Sequence, residues 1–282
     1  MKLPLGGQAV IEGVMIKSPR YVVTSVRTPK GTIASKQEKL AKKGRIAQLP
    51  FVRGVVNMYE MLSIGYRALL WSAQASGEDD EKISSFDIGL SLLLSIAFAL
   101  GLFLVLPFFL TKLLYGKTTG VIFNLIDGLL RVAIFLLYLL AISRMKDIKR
   151  LFQYHGAEHQ AVNCYEAGKP VSAANVKKHS PIHRRCGTNF IMIVLLVSIF
   201  LFSFITTGNF LYNILLRIVL IPLVAAVSYE LLKLADKYPA SALAALVAPG
   251  IWLQRLTTAK PTGKQVQVAV NSVLRILKLE RG

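Results

Sequence analysis

The sequence predicts a mainly α-helical multipass membrane protein with about four transmembrane helices and a cytoplasmic layer containing a small β-hairpin region. Three observations predict it. Of the 282 residues, 54% are hydrophobic and only 17% charged, and the mean hydropathy is +0.51, too apolar for an ordinary soluble domain. The apolar residues gather in runs close to the roughly 20 residues that a bilayer requires. The net charge of +19 comes from 34 Lys+Arg against 15 Asp+Glu, and the basic residues fall between those runs.

In chain order, 1–87 reads as a basic cytoplasmic region. Within it, 21–37 (YVVTSVR, TPKG, TIASKQ) has a β-hairpin pattern. Segment 54–71, flanked by Arg53 and containing Glu60 and Arg67, reads as a helix lying in the interface with Trp71 and two tyrosines at headgroup depth. The first span is 88–111, without a charge over its length. The second is 121–143, interrupted by Asp127 and Arg131. A 45-residue loop, 144–188, follows. The uncharged stretch after it is split by the turn signal TTGN at 206–209, giving spans 190–205 and 211–232, the latter carrying Arg217. The tail, 233–282, holds a short apolar segment, 239–253, expected to be interfacial or re-entrant. After it comes a cationic amphipathic helix, 265–279, with Val266, Val270, Val273, Leu274 and Leu277 at helical spacing.

Lys+Arg number 13 before the first span, 9 in the 144–188 loop and 8 in the tail, but 2 and 0 in the two short connections. Thirty against two predicts that both termini and the loop are cytoplasmic. The start, MKLPLGGQAV, has no continuous apolar run or cleavage site, so no signal peptide is expected. With only Cys164 and Cys186, a disulfide scaffold is excluded. The basic tracts have little aromatic interleaving, which argues against sequence-specific nucleic-acid reading. The expected partners are a bilayer with anionic headgroups and a membrane protein, the ribosome or the translocon. Gly6-Gly7-Gln8 lacks the spacing of a phosphate loop.

All four histidines, His155, His159, His179 and His183, lie in one 29-residue window that also holds Cys164, with Cys186 just after it. His155-Gly-Ala-Glu158-His159 is an H-x-x-E-H motif. On a helix its two imidazoles project from one face, able to ligate a divalent metal such as Zn²⁺ beside a Glu158 general base. A third ligand is needed. Glu230 near the end of the fourth span and Glu166 are candidates, with a salt bridge to Lys233 or an interfacial arginine the plainer use of Glu230. His183 and Cys186, preceded by His179, could complete the same site or form a separate structural site with Cys164. Asp127, Arg131 and Arg217 are expected to form an intramembrane ion cluster stapling spans two and four. A transporter would need that cluster to line a cavity, and four spans would call for a homo-oligomer.

Six segments resemble a known family: GGQAVIEGVMIKSP at 6–19, PFVRGVV at 50–56, YHGAEHQAVNCYEAG at 154–168, HRRCGTNF at 183–190, SYELLKLA at 228–235 and PGIWLQRLTT at 249–258. Together they resemble the YqhQ family over essentially the whole chain. The resemblance implies a bacterial multipass membrane protein labelled a metal-dependent enzyme on the HGAEH and HRRCGT segments, and it singles out Gln8 and Glu12 in its opening motif. The expected function is a metal-dependent hydrolase at the cytoplasmic membrane face. The rival is a non-enzymatic scaffold or assembly factor that uses its basic layer.

Overall fold

The computed structural model describes residues 3–77, 85–116, 120–205 and 207–281. Lys2, Lys82 and Lys117 from the charge count and Thr206 from the turn signal lie outside them. The chain begins with four antiparallel strands in the order β1-β2-β3-β4: β1 Gly6–Val10, β2 Gly13–Lys17, β3 Tyr21–Arg27 and β4 Ile33–Lys39. The expected hairpin is therefore the second half of a four-stranded meander. Its third strand pairs Arg27 with Ile33 and Tyr21 with Lys39. The first hairpin turns through Ile11 and Glu12, which closes the pair Val10↔Gly13 with Glu12 at φ 50°.

Side chains alternate across a strand, and here each face meets a different helical partner. Val14, Ile16 and Val23 enter a core with Tyr154, Ala157, Ala161, Val266, Ala269, Val273 and Ile276. Val10, Met15, Val22 and Val26 enter another with Ile64 and Ala68. The first partner set comprises α5 (Lys146–Glu166) and α10 (Gly263–Arg281), and the second is α1 (Val52–Ser76). Trp71 packs onto the sheet-side core with Met61, so α1 is held between the sheet and the membrane helices rather than lying wholly in an interface. In α10 the buried stripe is Val266, Ala269, Val273 and Ile276. Leu274, read from the sequence as part of that stripe, is exposed.

Among the described residues, three helices are long and apolar enough to cross a membrane: Gly89–Tyr115, Val121–Ile142 and Phe210–Lys237. The first is made of α2 (Ser85–Leu100) from Gly89 onward, a wide turn at Gly101–Val105 and α3 (Leu106–Tyr115). The wide turn directly precedes Pro107, whose missing N–H interrupts the regular ladder. The others are α4 (Val121–Ile142) and α8 (Phe210–Lys237). The expected third span is α7 (Gly187–Phe202), with 16 residues, or about 24 Å of helix against a hydrocarbon core of about 30 Å. It packs centrally, with Ile193, Val197 and Phe202 in a core shared with α8 and Met192 and Leu195 in one shared with α4 and Leu253.

Segment 239–253 is not one continuous helix. It forms a short turn of helix at Ala242–Leu246 and then α9 (Ala248–Thr257). Between α5 and α7 lies a single helical turn, α6 (Ala173–Val176).

Asp127, Arg131 and Arg217 come together at the α4–α7–α8 junction. Asp127 Oδ2 accepts from Arg131 and Arg217 at 2.7 Å each. Arg217 also donates to Asn124 Oδ1 at 2.8 Å and Arg131 to Ser198 at 2.9 Å. Phe108 and Phe202 face the Arg217 guanidinium at 4.4 and 5.2 Å. All three ionic side chains are buried.

Candidate metal centre

His155 and His159 lie one turn apart on α5, with ring centroids 4.3 Å apart. The sheet core takes Tyr154, Ala157 and Ala161 from the same helix, which leaves the histidine face turned toward α9 and the loop before α7. Among the described residues, one group of three side chains brings metal-ligating atoms within 4.8 Å of one another: His155, His159 and Cys186. Cys186 caps the N-terminus of α7, its Sγ accepting from the Thr188 N–H at 3.4 Å and lying 3.3 Å from His155 Nε2.

The tautomers follow from the hydrogen bonds. A backbone carbonyl only accepts, so His155 Nδ1–H donates to Thr257 O at 2.8 Å and His159 Nδ1–H to Pro181 O at 2.6 Å. Each ring therefore presents an Nε2 lone pair, the arrangement in which an outer carbonyl fixes the orientation of a metal-ligating histidine. Glycine makes one of these bonds geometrically available. A Cβ on Gly156 would collide with the Ala259 carbonyl, and the Ala259 N–H donates to Phe152 O at 2.9 Å. The segment after α9 thus lies directly on α5, placing Thr257 O over His155. Gly156→Val should destabilise the chain by about 1–3 kcal/mol through overpacking and lower its metal content, read by thermal unfolding and elemental analysis of the same samples.

Glu158 is buried beside the imidazoles, with Oε2 3.5 Å from His159 Nε2. Edge strand β1 presses on it: a Cβ on Gly7 would stand 2.9 Å from Glu158 Oε1. Burial raises the Glu158 pKa against the opposing pull of His155 and His183. It also lowers His159 to about 2, helped by the neighbouring imidazoles. The Cys186 thiol is raised to about 11 by burial, in spite of its bonds to Thr188. Burial thus shifts the His159 imidazole, the Cys186 thiol and the Glu158 carboxyl each toward its uncharged form. A cation entering would stabilise the thiolate and carboxylate together.

The remaining candidates take other positions. Glu230, one candidate for the third ligand, has the plainer use the sequence also offered, an ion pair with an arginine: it is bonded to Arg53 at 2.7 Å and to the Phe51 N–H at 3.2 Å, tying α8 to the start of α1. Glu166 binds Arg185 and lies 3.2 Å from His183 Nε2. That places His183 beside the centre, 5.7 Å from His159 ring to ring, but facing a carboxylate. Burial lowers the His183 pKa. Cys164 is buried in the sheet–helix core, its thiol directed at Pro170 O at 3.6 Å. His179 is half-buried, ending the turn after α6. Gln8 donates to Gly65 O on α1 at 3.1 Å. Glu12 pairs with Arg150 and accepts from Tyr154 OH at 3.2 Å, fastening the first hairpin to α5.

Gln254 went unnoticed in the sequence. Fully buried, its amide accepts from the His183 N–H at 2.9 Å and donates to the His183 carbonyl at 2.8 Å and to Asn189 Oδ1 at 3.0 Å. It locks the segment between Pro181 and Cys186 onto α9. Both Gln254 and Thr257 fall within the PGIWLQRLTT stretch, the one signal that could have found them.

Residues 49–279 match a family described as a protein of unknown function, DUF1385. The chain is 35% identical to the uncharacterized protein YqhQ of Bacillus subtilis (strain 168), over 98% of this chain and 92% of that protein. No solved structure matches it. The chain therefore belongs to the YqhQ family, whose members are proteins of unknown function.

Proposed function

We propose that the protein is a metal-dependent hydrolase working at the cytoplasmic face of a bacterial inner membrane. The observation that carries this reading is the convergence of two carbonyl-oriented Nε2 atoms and one Sγ beside a buried carboxyl group. Two imidazoles and a thiolate suit Zn²⁺ and leave a fourth coordination position for water or substrate. The ion would supply Lewis-acid activation of water and of the scissile group. Glu158, its pKa raised by burial, is poised to take a proton from the attacking water and pass it to the leaving group. His183 and the Gln254 bonds hold the loop that carries Cys186 in place. In this reading α7 is a fourth span, shortened by its central packing, and the strand layer with α5 and α10 lies in the cytoplasm with both termini.

A second reading is favoured by the burial of His159, Cys186 and Glu158. In it the ion is structural, inside a scaffold whose basic surface meets anionic lipid, the translocon or the ribosome. Glu158→Gln separates the two. The amide keeps the shape of the carboxyl but cannot accept a proton, so the hydrolase reading expects metal content near wild type. It also expects at least about a hundredfold loss of turnover in a screen of lipid and peptide esters and amides. A substrate turned over equally by wild type and Glu158→Gln would remove Glu158 from the reaction.

A further inference from the structure

We infer that a groove beside the metal centre seats one anionic phospholipid drawn from the surrounding bilayer; that this amphiphile is also the centre's substrate class rests on the hydrolase reading above. The groove, about 560 Å³, lies between the β1–β2 end of the sheet, α1, the polar end of α8 and Arg185. From α8 it takes Tyr229, Leu232, Lys233 and Asp236, spaced so that they form one helix face. Because α8 is long and apolar enough to cross a membrane, its polar end stands where headgroups lie.

The lining suits an amphiphile. Leu5, Met61 and Leu232 supply apolar wall, and Lys17, Arg185 and Lys233 outnumber the single acid Asp236. Lys17 is held by Glu60 at 3.0 Å, and Arg185 by Glu166 and, at 4.0 Å, by Asp236. Lys233 is exposed and forms no salt bridge among the described residues, acting only through space on Glu230, which leaves its ammonium able to meet a phosphate. The Tyr229 hydroxyl accepts from Asn57 at 2.7 Å and keeps its own hydrogen to donate. An apolar trough at the end of a spanning helix, with one uncommitted ammonium and one phenol donor at its rim, is complementary to a phosphodiester carrying acyl chains.

On two sides of the groove the next residue along the chain belongs to the metal centre. Gly6 lines the groove and Gly7 lies against Glu158; Arg185 lines it and Cys186 is a ligand candidate. Gly6 and Gly7 face opposite sides of edge strand β1. With no side chain on either, only backbone separates a seated headgroup from the buried carboxyl.

The test is native mass spectrometry of the delipidated full chain with phosphatidylglycerol, phosphatidylcholine or sn-glycerol 3-phosphate added. The expected result is one phosphatidylglycerol retained at least about fivefold better than phosphatidylcholine, and about fivefold weaker retention in Lys233→Glu, an exposed position whose change leaves the fold intact. Equal retention of both lipids, or no effect of Lys233→Glu, would overturn the site. Glycerol phosphate displacing the lipid at equal concentration would assign the groove to a soluble phosphate ester instead. Metal content measured on the same samples keeps the two ideas apart. Metal without selective lipid sinks the groove alone, whereas lipid retained by a metal-free wild type sinks the hydrolase reading alone.

Discussion

Purified in detergent without chelators, the wild-type chain is expected to carry about one zinc or similar ion, and His155→Ala/His159→Ala less than about a tenth of that. Cys186→Ala should fall nearly as far, because the thiolate is the only anionic ligand of the three. Cys164→Ala should retain the ion, since its thiol faces Pro170 in the core. Elemental mass spectrometry beside a thermal unfolding curve reads both occupancy and fold. Variants that lose the ion and stay folded support an open, reactive centre. Variants that lose both place the ion among the structural ties of the loop between α5 and α7. A wild type with no metal would falsify the metal-dependent reading outright.

Asp127→Ala is expected to be the most destabilising single change in the helix bundle. One carboxylate serves two buried guanidinium groups, with Oδ2 accepting from both. Removing it leaves two unpaired charges among Phe108, Phe202 and Ser198. Breaking a buried pair in this way costs about 3–5 kcal/mol, enough to remove most of a marginal stability. Replacing all three ions with apolar residues of similar size, Asp127→Leu/Arg131→Met/Arg217→Met, should recover most of the loss, because buried ion pairs add little over a packed core. Denaturant unfolding in a fixed detergent checks both. An Asp127→Ala chain within about 0.5 kcal/mol of wild type would mean that water reaches the cluster and screens it.

The helices long enough to cross a membrane were plain in the sequence because twenty apolar residues in succession leave little choice of environment. The H-x-x-E-H spacing was equally legible, since helical periodicity alone puts His155 and His159 on one face. Strands β1 and β2 were not. They are covered on both sides, by α5 and α10 on one and α1 on the other, so apolar residues run together in Gly13–Lys17 instead of alternating with polar ones. Trp71 misled for a related reason: an apolar helix with charges beside it looks the same whether a bilayer or a sheet covers it.

Glu230 offered two readings, metal ligand or partner of an arginine, because an acid in an apolar helix demands a partner, and the structure gives it the second. That partner, Arg53, lies 177 residues away along the chain, and sequence spacing carries no trace of the meeting. The carbonyls of Thr257 and Pro181 were beyond reach altogether. Every residue has a backbone oxygen, and only the fold selects which one orients a ring.

The sheet sandwiched between α1 and α10 bears on how the chain is made. Strands Gly13–Lys17 and Tyr21–Arg27 leave the ribosome first, yet α10, at Gly263–Arg281, supplies much of the core on one of their faces. The carbonyl that orients His155 comes from Thr257, about a hundred residues after the ring it holds. Contacts of such long sequence separation form slowly, because closing so large a loop costs entropy before it is rewarded. The opening strands must therefore wait, with one apolar face uncovered, through the insertion of every intervening helix. The cluster of His155, His159 and Cys186 can take its final geometry only once Thr257 has been made, when synthesis is nearly complete.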